Sequence, residues 1–340
     1  MPQLELVLWA GLAIGFVFGA SGQLSGFCLH RGLSEFWSGR NSGYKLHAFA
    51  LALAVALAGT HLVASAGLVD INRSLYLMPS FSWLLLPIGG LMFGYGMGLA
   101  NGCGARALVL LGQGNLRSLL VLLCLGIAAY MTLTGLLAPL RSLGAQHTLL
   151  TPAATTLPEG LLRSLIVWAL VAGLAFFALR AGPPGRRTSD LTGGAVVGLL
   201  VVAGWLTTGW LGADDFDPLP VASLSFIAPV GDTIQYAMIA TGMSLRFSIT
   251  LVLGVVAGSF VAAALRGRYR IEGFESAVQM SRYIAGGILM GVGGTLALGC
   301  SIGQGLAGLS TLAYSSMISA LAIVAGARLA WKFGSVPGGS

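Results

Sequence analysis

Two cysteines in matching surroundings are the residues from which chemistry could start. Cys103 closes the stretch Gly89-Gly90-Leu91-Met92-Phe93-Gly94-Tyr95-Gly96-Met97-Gly98-Leu99-Ala100-Asn101-Gly102-Cys103, and Cys300 closes the stretch that runs from Gly286 to Gly299. At an offset of 197 residues, without gaps, five glycines and the cysteine fall in register. Apolar segments share leucine and alanine freely, but not that set. Asn101-Gly102-Cys103-Gly104 and Gly299-Cys300-Ser301-Ile302-Gly303-Gln304-Gly305 are glycine-rich breaks after apolar runs. Glycine leaves helical φ/ψ without a Cβ penalty, so the backbone can unwind there and free its N–H groups. Short helices restarting after such breaks would aim dipole ends and amides into the gap, which favours an anion. A thiol adds a weak S–H donor. The bland alternative is that these glycines only let helices cross closely.

The other cysteines are Cys28 and Cys124, and none of the four shows a CxxC spacing, which argues against a zinc site or a thioredoxin-type pair. Cys28 lies in Ser25-Gly26-Phe27-Cys28-Leu29-His30-Arg31, and the same offset carries it to Ser225, another small hydrogen-bonding side chain. Cys124, in the middle of an apolar span, reads as a packing residue. His30, His47, His61 and His147 have no metal-ligand spacing. No Asp, Glu or Lys falls in the middle of a span, which weakens a proton pump. Arg106 either draws an anion towards an exit or snorkels to the membrane surface. The candidate pathway residues are Cys28, Asn101, Gly102, Cys103, Gly104, Ser225, Gly299, Cys300, Ser301 and Gln304. No catalytic residue, metal or cofactor is expected.

These residues must be positioned by helices in a bilayer. Of 340 residues 56% are apolar, 51 are glycine and only 9% are charged, with a mean hydropathy of +0.87. That excludes a disordered chain, a disulfide-framed secreted domain and an ordinary soluble enzyme. A ~30 Å hydrocarbon core takes about 20 apolar residues, and the sequence offers nine spans. They are Leu4–Ala20, Leu46–Ala66, Trp83–Ala100, Ser118–Leu137, Leu161–Leu179, Leu191–Leu211, Phe247–Leu265, Ile284–Leu298 and Leu312–Trp331. Two semi-polar segments, Ser21–Gly43 and Pro218–Ala240, are expected to be re-entrant. With nine spans, 14 of the 18 Lys and Arg fall on one side and the acidic Asp214, Asp215 and Asp217 on the other. By the positive-inside rule the N-terminus is outside and the C-terminus cytoplasmic. The net charge of +7 records this orientation and no nucleic-acid partner, since the basic residues sit singly between spans.

The 197-residue offset also carries the second span onto the seventh and the fourth onto the ninth. The expected fold is an all-α polytopic membrane protein of about nine helices in two inverted four-span repeats. Residues 1–140 form the first repeat, 141–190 a linker with the fifth span, 191–334 the second repeat and 335–340 a short tail. Such repeats build a site at their interface, where helices are interrupted near the midplane.

With these motifs, the glycine-rich runs into Cys103-Gly104 and Cys300-Ser301-Ile302-Gly303-Gln304-Gly305, together with Ser25-Gly26-Phe27-Cys28, the sequence resembles the YeeE/YedE family of sulfur-compound transporters over most of its length. The resemblance implies an inner-membrane protein that passes a small sulfur-containing anion, thiosulfate in the best-known type, through a narrow passage. It implies that Cys28, Cys103 and Cys300 line that passage and that a small TusA-like sulfur carrier is a cytoplasmic partner. One departure stands out: the thiosulfate importers carry a further cysteine in the second half, and this chain has none between Cys124 and Cys300. The substrate therefore stays open among thiosulfate, another reduced sulfur anion and a selenium species. A thiolate would repel a dianion, so the thiols are expected to act as neutral S–H donors. The alternatives are a membrane thiol enzyme or sulfurtransferase forming persulfides at the Gly-Cys motifs, and a scaffold subunit. An enzyme should place an activating base or cation beside its cysteine, and only Arg106 near Cys103 could serve.

Overall fold

Thirteen α-helices form among the described residues, and glycine decides how closely they pack. The structure, a computed structural model, describes residues 2–39, 44–152, 154–158, 160–180, 186–213, 219–274 and 276–333. The expected tail 335–340 and the acidic cluster at Asp214, Asp215 and Asp217 lie outside the described residues. In chain order the helices are α1 (Pro2–Ser25), α2 (Leu29–Ser38), α3 (Tyr44–Ser65), α4 (Leu85–Leu99), α5 (Gly104–Gly112), α6 (Leu116–Leu133) and α7 (Ala138–His147). They continue as α8 (Leu161–Leu179), α9 (Arg186–Leu206), α10 (Ala228–Ile239), α11 (Phe247–Leu265), α12 (Ala277–Leu296) and α13 (Tyr314–Phe333). A two-residue antiparallel strand pair joins Phe81–Ser82 to Leu149–Leu150.

Among the described residues, seven helical segments are long and apolar enough to cross a bilayer: those holding α1, α3, α6, α8, α9, α11 and α13. The two other expected spans are α4 and α12, and both run into the Gly-Cys breaks. α4 has only 15 residues, about 22 Å at 1.5 Å per residue. α12 has 20 residues but begins with the polar Gln279, Ser281 and Arg282. α8 leaves Leu161, Leu162, Leu165, Phe176 and Leu179 exposed. A helix that apolar on its open side is at home only in lipid.

The helices meet in pairs: α1 with α11, α3 with α9, α4 with α13, α6 with α12, and α4 with α12. Backbones approach too closely for side chains at these crossings. A Cβ on Gly15 or Gly19 would stand 2.1 or 2.0 Å from the Leu251 or Val255 carbonyl oxygen of α11. In return, one on Gly254 or Gly258 would meet the carbonyls of Leu12 and Phe16. Small residues four apart on facing helices allow such contact where lipid supplies no hydrophobic drive.

The semi-polar segments each contain a break and a half-length helix. In the first, 21–25 continue α1, residues 26–28 leave the helix, and α2 begins at Leu29. In the second, 219–227 carry no regular structure before α10. The expected span Leu191–Leu211 is α9 continued by a wider, i→i+5 coil at Thr207–Leu211. The sequence does not announce α7: with Arg141, Ser142, Gln146 and His147 it is too polar to read as a span.

Candidate functional site

Both Gly-Cys breaks are built by the same local geometry. α4 ends at Leu99, Asn101 turns into the left-handed region at φ 55°, and Gly102 N–H closes the turn on the Met97 carbonyl at 2.9 Å. α12 ends at Leu296, Leu298 takes φ 59°, and Gly299 N–H bonds the Gly294 carbonyl at 2.8 Å. Asparagine tolerates that conformation, whereas leucine there costs roughly 1–2 kcal/mol. The chain then leaves each turn at its cysteine.

Beyond the cysteines the two breaks diverge. Cys103 is the N-cap of the nine-residue α5, with its carbonyl accepting from Ala107 N–H at 2.9 Å. After Cys300 the chain winds as a six-residue i→i+5 coil, Gly303–Gly308, instead of the expected short α-helix. Three glycines in six residues hold helix propensity low. The Gln304 side chain also ties the coil back, donating from Nε2 to the Ala297 carbonyl at 2.7 Å. Gly303 N–H donates to the Cys300 sulfur at 3.3 Å.

Three of the expected thiols converge. Cys28, Cys103 and Cys300 are all buried, Cys300 completely, and no cysteine is in a disulfide. Cys103 is within electrostatic range of both Cys28 and Cys300, and Ser301 is close by, its buried Oγ without a hydrogen-bond partner among the described residues. Cys300 lies against the Ser225 side chain and the backbone of Ile302, Gly303 and Phe226. Aromatic rings enclose the group: Phe18 packs on Phe226 at 5.0 Å between centroids, and Phe27 stacks on Phe49 at 5.7 Å. Cys28 and Cys103 share a cavity of about 10 Å³ with Ile302 and Arg106. That volume is at the lower limit for a single water, so the cavity has no room for a polyatomic anion.

The remaining candidates divide. Gly102, Gly104 and Gly299 shape the breaks: a Cβ on Gly102 would stand 2.9 Å from Arg106 Cδ, and one on Gly104 3.2 Å from Leu125 Cδ1. Ser225 is half-buried beside Cys300. Gln304 is fully buried, and its Oε1 has no hydrogen-bond partner among the described residues. Asn101 is exposed and lines a separate 180 Å³ pocket with Cys103 and Arg106, one that neither Cys28 nor Cys300 lines. Cys124 stands apart on α6, half-buried against the α12 crossing at Gly287.

Two larger pockets lie at the two ends of α3. At the start of α3 a 400 Å³ pocket is lined by five cations, Arg31, Lys45, Arg106, Arg266 and Arg268, against two carboxylates, Glu35 and Asp190. It shares Gly22, Arg106 and Val109 with the small thiol cavity. At the other end of α3 a 500 Å³ pocket holds His61, Asp70 and Arg163. Sequence reasoning misses two side chains near this axis. Tyr76, from the loop after α3, brings its hydroxyl against Gly303, the residue whose N–H donates to Cys300, and no pattern around Ser74-Leu75-Tyr76-Leu77 marks it. Asp232, on α10, accepts from Tyr130 OH and from Ser248 Oγ, the latter at 2.8 Å. Its carboxylate ties the half-length helix to α6 and α11, and its place in a semi-polar segment is the available signal.

No group of three or more His, Cys, Asp or Glu side chains that could hold a metal ion occurs among the described residues. A family model described as sulphur transport matches residues 24–329. The chain is 25% identical to the thiosulfate transporter TsuA of Escherichia coli (strain K12), over 94% of this chain and 92% of that protein. It is 28% identical to the thiosulfate transporter TsuA of Spirochaeta thermophila, over 96% and 98%.

Proposed function

The chain belongs to the sulphur transport family, and from that premise we propose that it carries a small sulfur-containing anion, thiosulfate first, across the bacterial inner membrane. The observation that carries this reading is the convergence of Cys28, Cys103 and Cys300 on a closed point behind a basic mouth. Thiosulfate pairs a charged oxyanion end with a soft terminal sulfur. Neutral thiols can hold that sulfur weakly and pass it on, while the α5 N-terminus and the Gly303 amide favour the negative end. The names of the two relatives support thiosulfate over another reduced sulfur anion or a selenium species.

The architecture we infer for this task is nine spans in two inverted repeats joined by α8. Three observations support it. The turns at Asn101 and Leu298 have nearly the same φ and the same closing bond. The α1–α11 and α4–α13 crossings are matched by α9–α3 and α12–α6. α4 and α12, the pair carrying the breaks, cross each other through Gly96 and Gly286. The basic mouth then faces the cytoplasm, with the N-terminus outside, and it is where a TusA-like sulfur carrier would receive the cargo. The protein acts as a transporter and not as an enzyme. The test is growth of a host lacking its own thiosulfate uptake, on thiosulfate as sole sulfur source. The gene restores growth if the reading holds, and failure with verified membrane expression contradicts it.

A further inference from the structure

Tyr76 is carried by the short turn Leu75–Leu77 of the α3–α4 loop, yet it is buried. Its backbone carbonyl accepts from Ser315 Oγ at 3.0 Å, and its ring sits edge-on to Trp205 at 6.1 Å. These contacts drive the hydroxyl inward to Gly303. A Cβ built on Gly303 would lie 3.2 Å from Tyr76 OH and 3.1 Å from Ser225 Oγ. Gly303 is not among the residues with positive φ, so its backbone does not demand glycine. With no side chain there, the two hydroxyls close in on the Gly303 backbone from two sides, directly beside the Cys300 sulfur, to which Gly303 N–H already donates. Trp205 Nε1, fully buried against Tyr76, is a donor with no partner among the described residues.

We propose that Tyr76 and Ser225 form an oxyanion subsite beside Gly303, which takes the oxygen end of a tetrahedral sulfur oxyanion when the closed cluster opens, while Cys300 faces its sulfur. This rests on the transport reading for the identity of the anion. The subsite selects: a site built to hydrogen-bond oxygen leaves its own groups unpaired when a sulfur anion without oxygens enters. Tyr76 belongs to the α3–α4 loop, which through Ile71 and Leu77 lines the pocket at the other end of α3 from the basic mouth. The sequence repeat does not supply a partner for it, since the 197-residue offset takes Tyr76 to Gly273.

The test is titration calorimetry of purified protein in detergent with thiosulfate, for wild type, Tyr76→Phe and Ser225→Ala, alongside uptake into proteoliposomes. Tyr76→Phe keeps the ring on Trp205 and the Ser315 bond, so the fold is retained. A hydrogen bond to a charged group sets the expected loss of affinity for thiosulfate at about tenfold or more in each variant. Affinity within twofold of wild type in Tyr76→Phe overturns the subsite, as does a fall in uptake rate with unchanged affinity. Wild type that binds but does not transport contradicts the transport reading alone, and the affinity loss still tests the subsite. Wild type that binds no thiosulfate overturns both.

Discussion

Lys45 places its ammonium 2.5 Å from Asp190 Oδ1 with both side chains mostly buried, 14% and 10% exposed. The same nitrogen donates to the Ser25 carbonyl, at the end of α1 and just before the Cys28 break. One cation thus fixes the start of α3, the start of α9 and the bend that aims Cys28. Removing one partner of such a pair strands the other charge away from water, which costs about 3–5 kcal/mol, whereas replacing both with apolar groups of similar volume is often neutral. Lys45→Met should therefore lower the thermal midpoint sharply in detergent, and Lys45→Met with Asp190→Leu should recover most of it. Equal melting of the single variant and wild type would show that the pair does not hold the bend. At this scale the sequence marks where Cys103 and Cys300 sit, because a repeated motif flags both, and both are buried at the breaks. It is silent on Leu298, since nothing about a leucine announces a left-handed turn, and on Tyr76, whose role comes from a loop folding back into the core.

Helices here are held by the absence of side chains as much as by their presence. Gly258 of α11 faces Phe16 of α1 so closely that a methyl would stand 2.0 Å from a backbone carbonyl oxygen. Gly173, in the middle of α8, has nothing within 4 Å. Gly258→Ala should destabilise by about 1–3 kcal/mol or more through overpacking, while Gly173→Ala should leave thermal stability unchanged or raised. A thermal midpoint that falls equally in both would mean that glycine acts through backbone entropy and not through close approach. The long apolar helices are legible in the sequence because length and hydropathy mark them directly. Several of their ends are not: α1 continues to Ser25, and α12 begins at Ala277, ahead of the expected Ile284. Those extensions are polar turns, which a hydropathy window cuts off. The coil at Gly303–Gly308 is not legible either, because an i→i+5 winding leaves no apolar periodicity of its own.

Across the whole molecule, charge and space are arranged along one axis. A basic 400 Å³ mouth shares residues with a cavity of about 10 Å³ between Cys28 and Cys103, and the Tyr76 hydroxyl lies against Gly303, next to Cys300. The anion cannot pass through the thiol cluster as it stands, so transport requires the two breaks or the Tyr76 loop to move apart. The decisive measurement is the initial rate of radiolabelled thiosulfate uptake into proteoliposomes containing wild type, Cys103→Ala, Cys300→Ala or Cys124→Ala. If thiols donate to the passing anion, the Cys103 and Cys300 variants lose about tenfold or more of the rate, and Cys124→Ala, away from the cluster, keeps it. Wild-type rates in both Cys103→Ala and Cys300→Ala would contradict a thiol-lined passage.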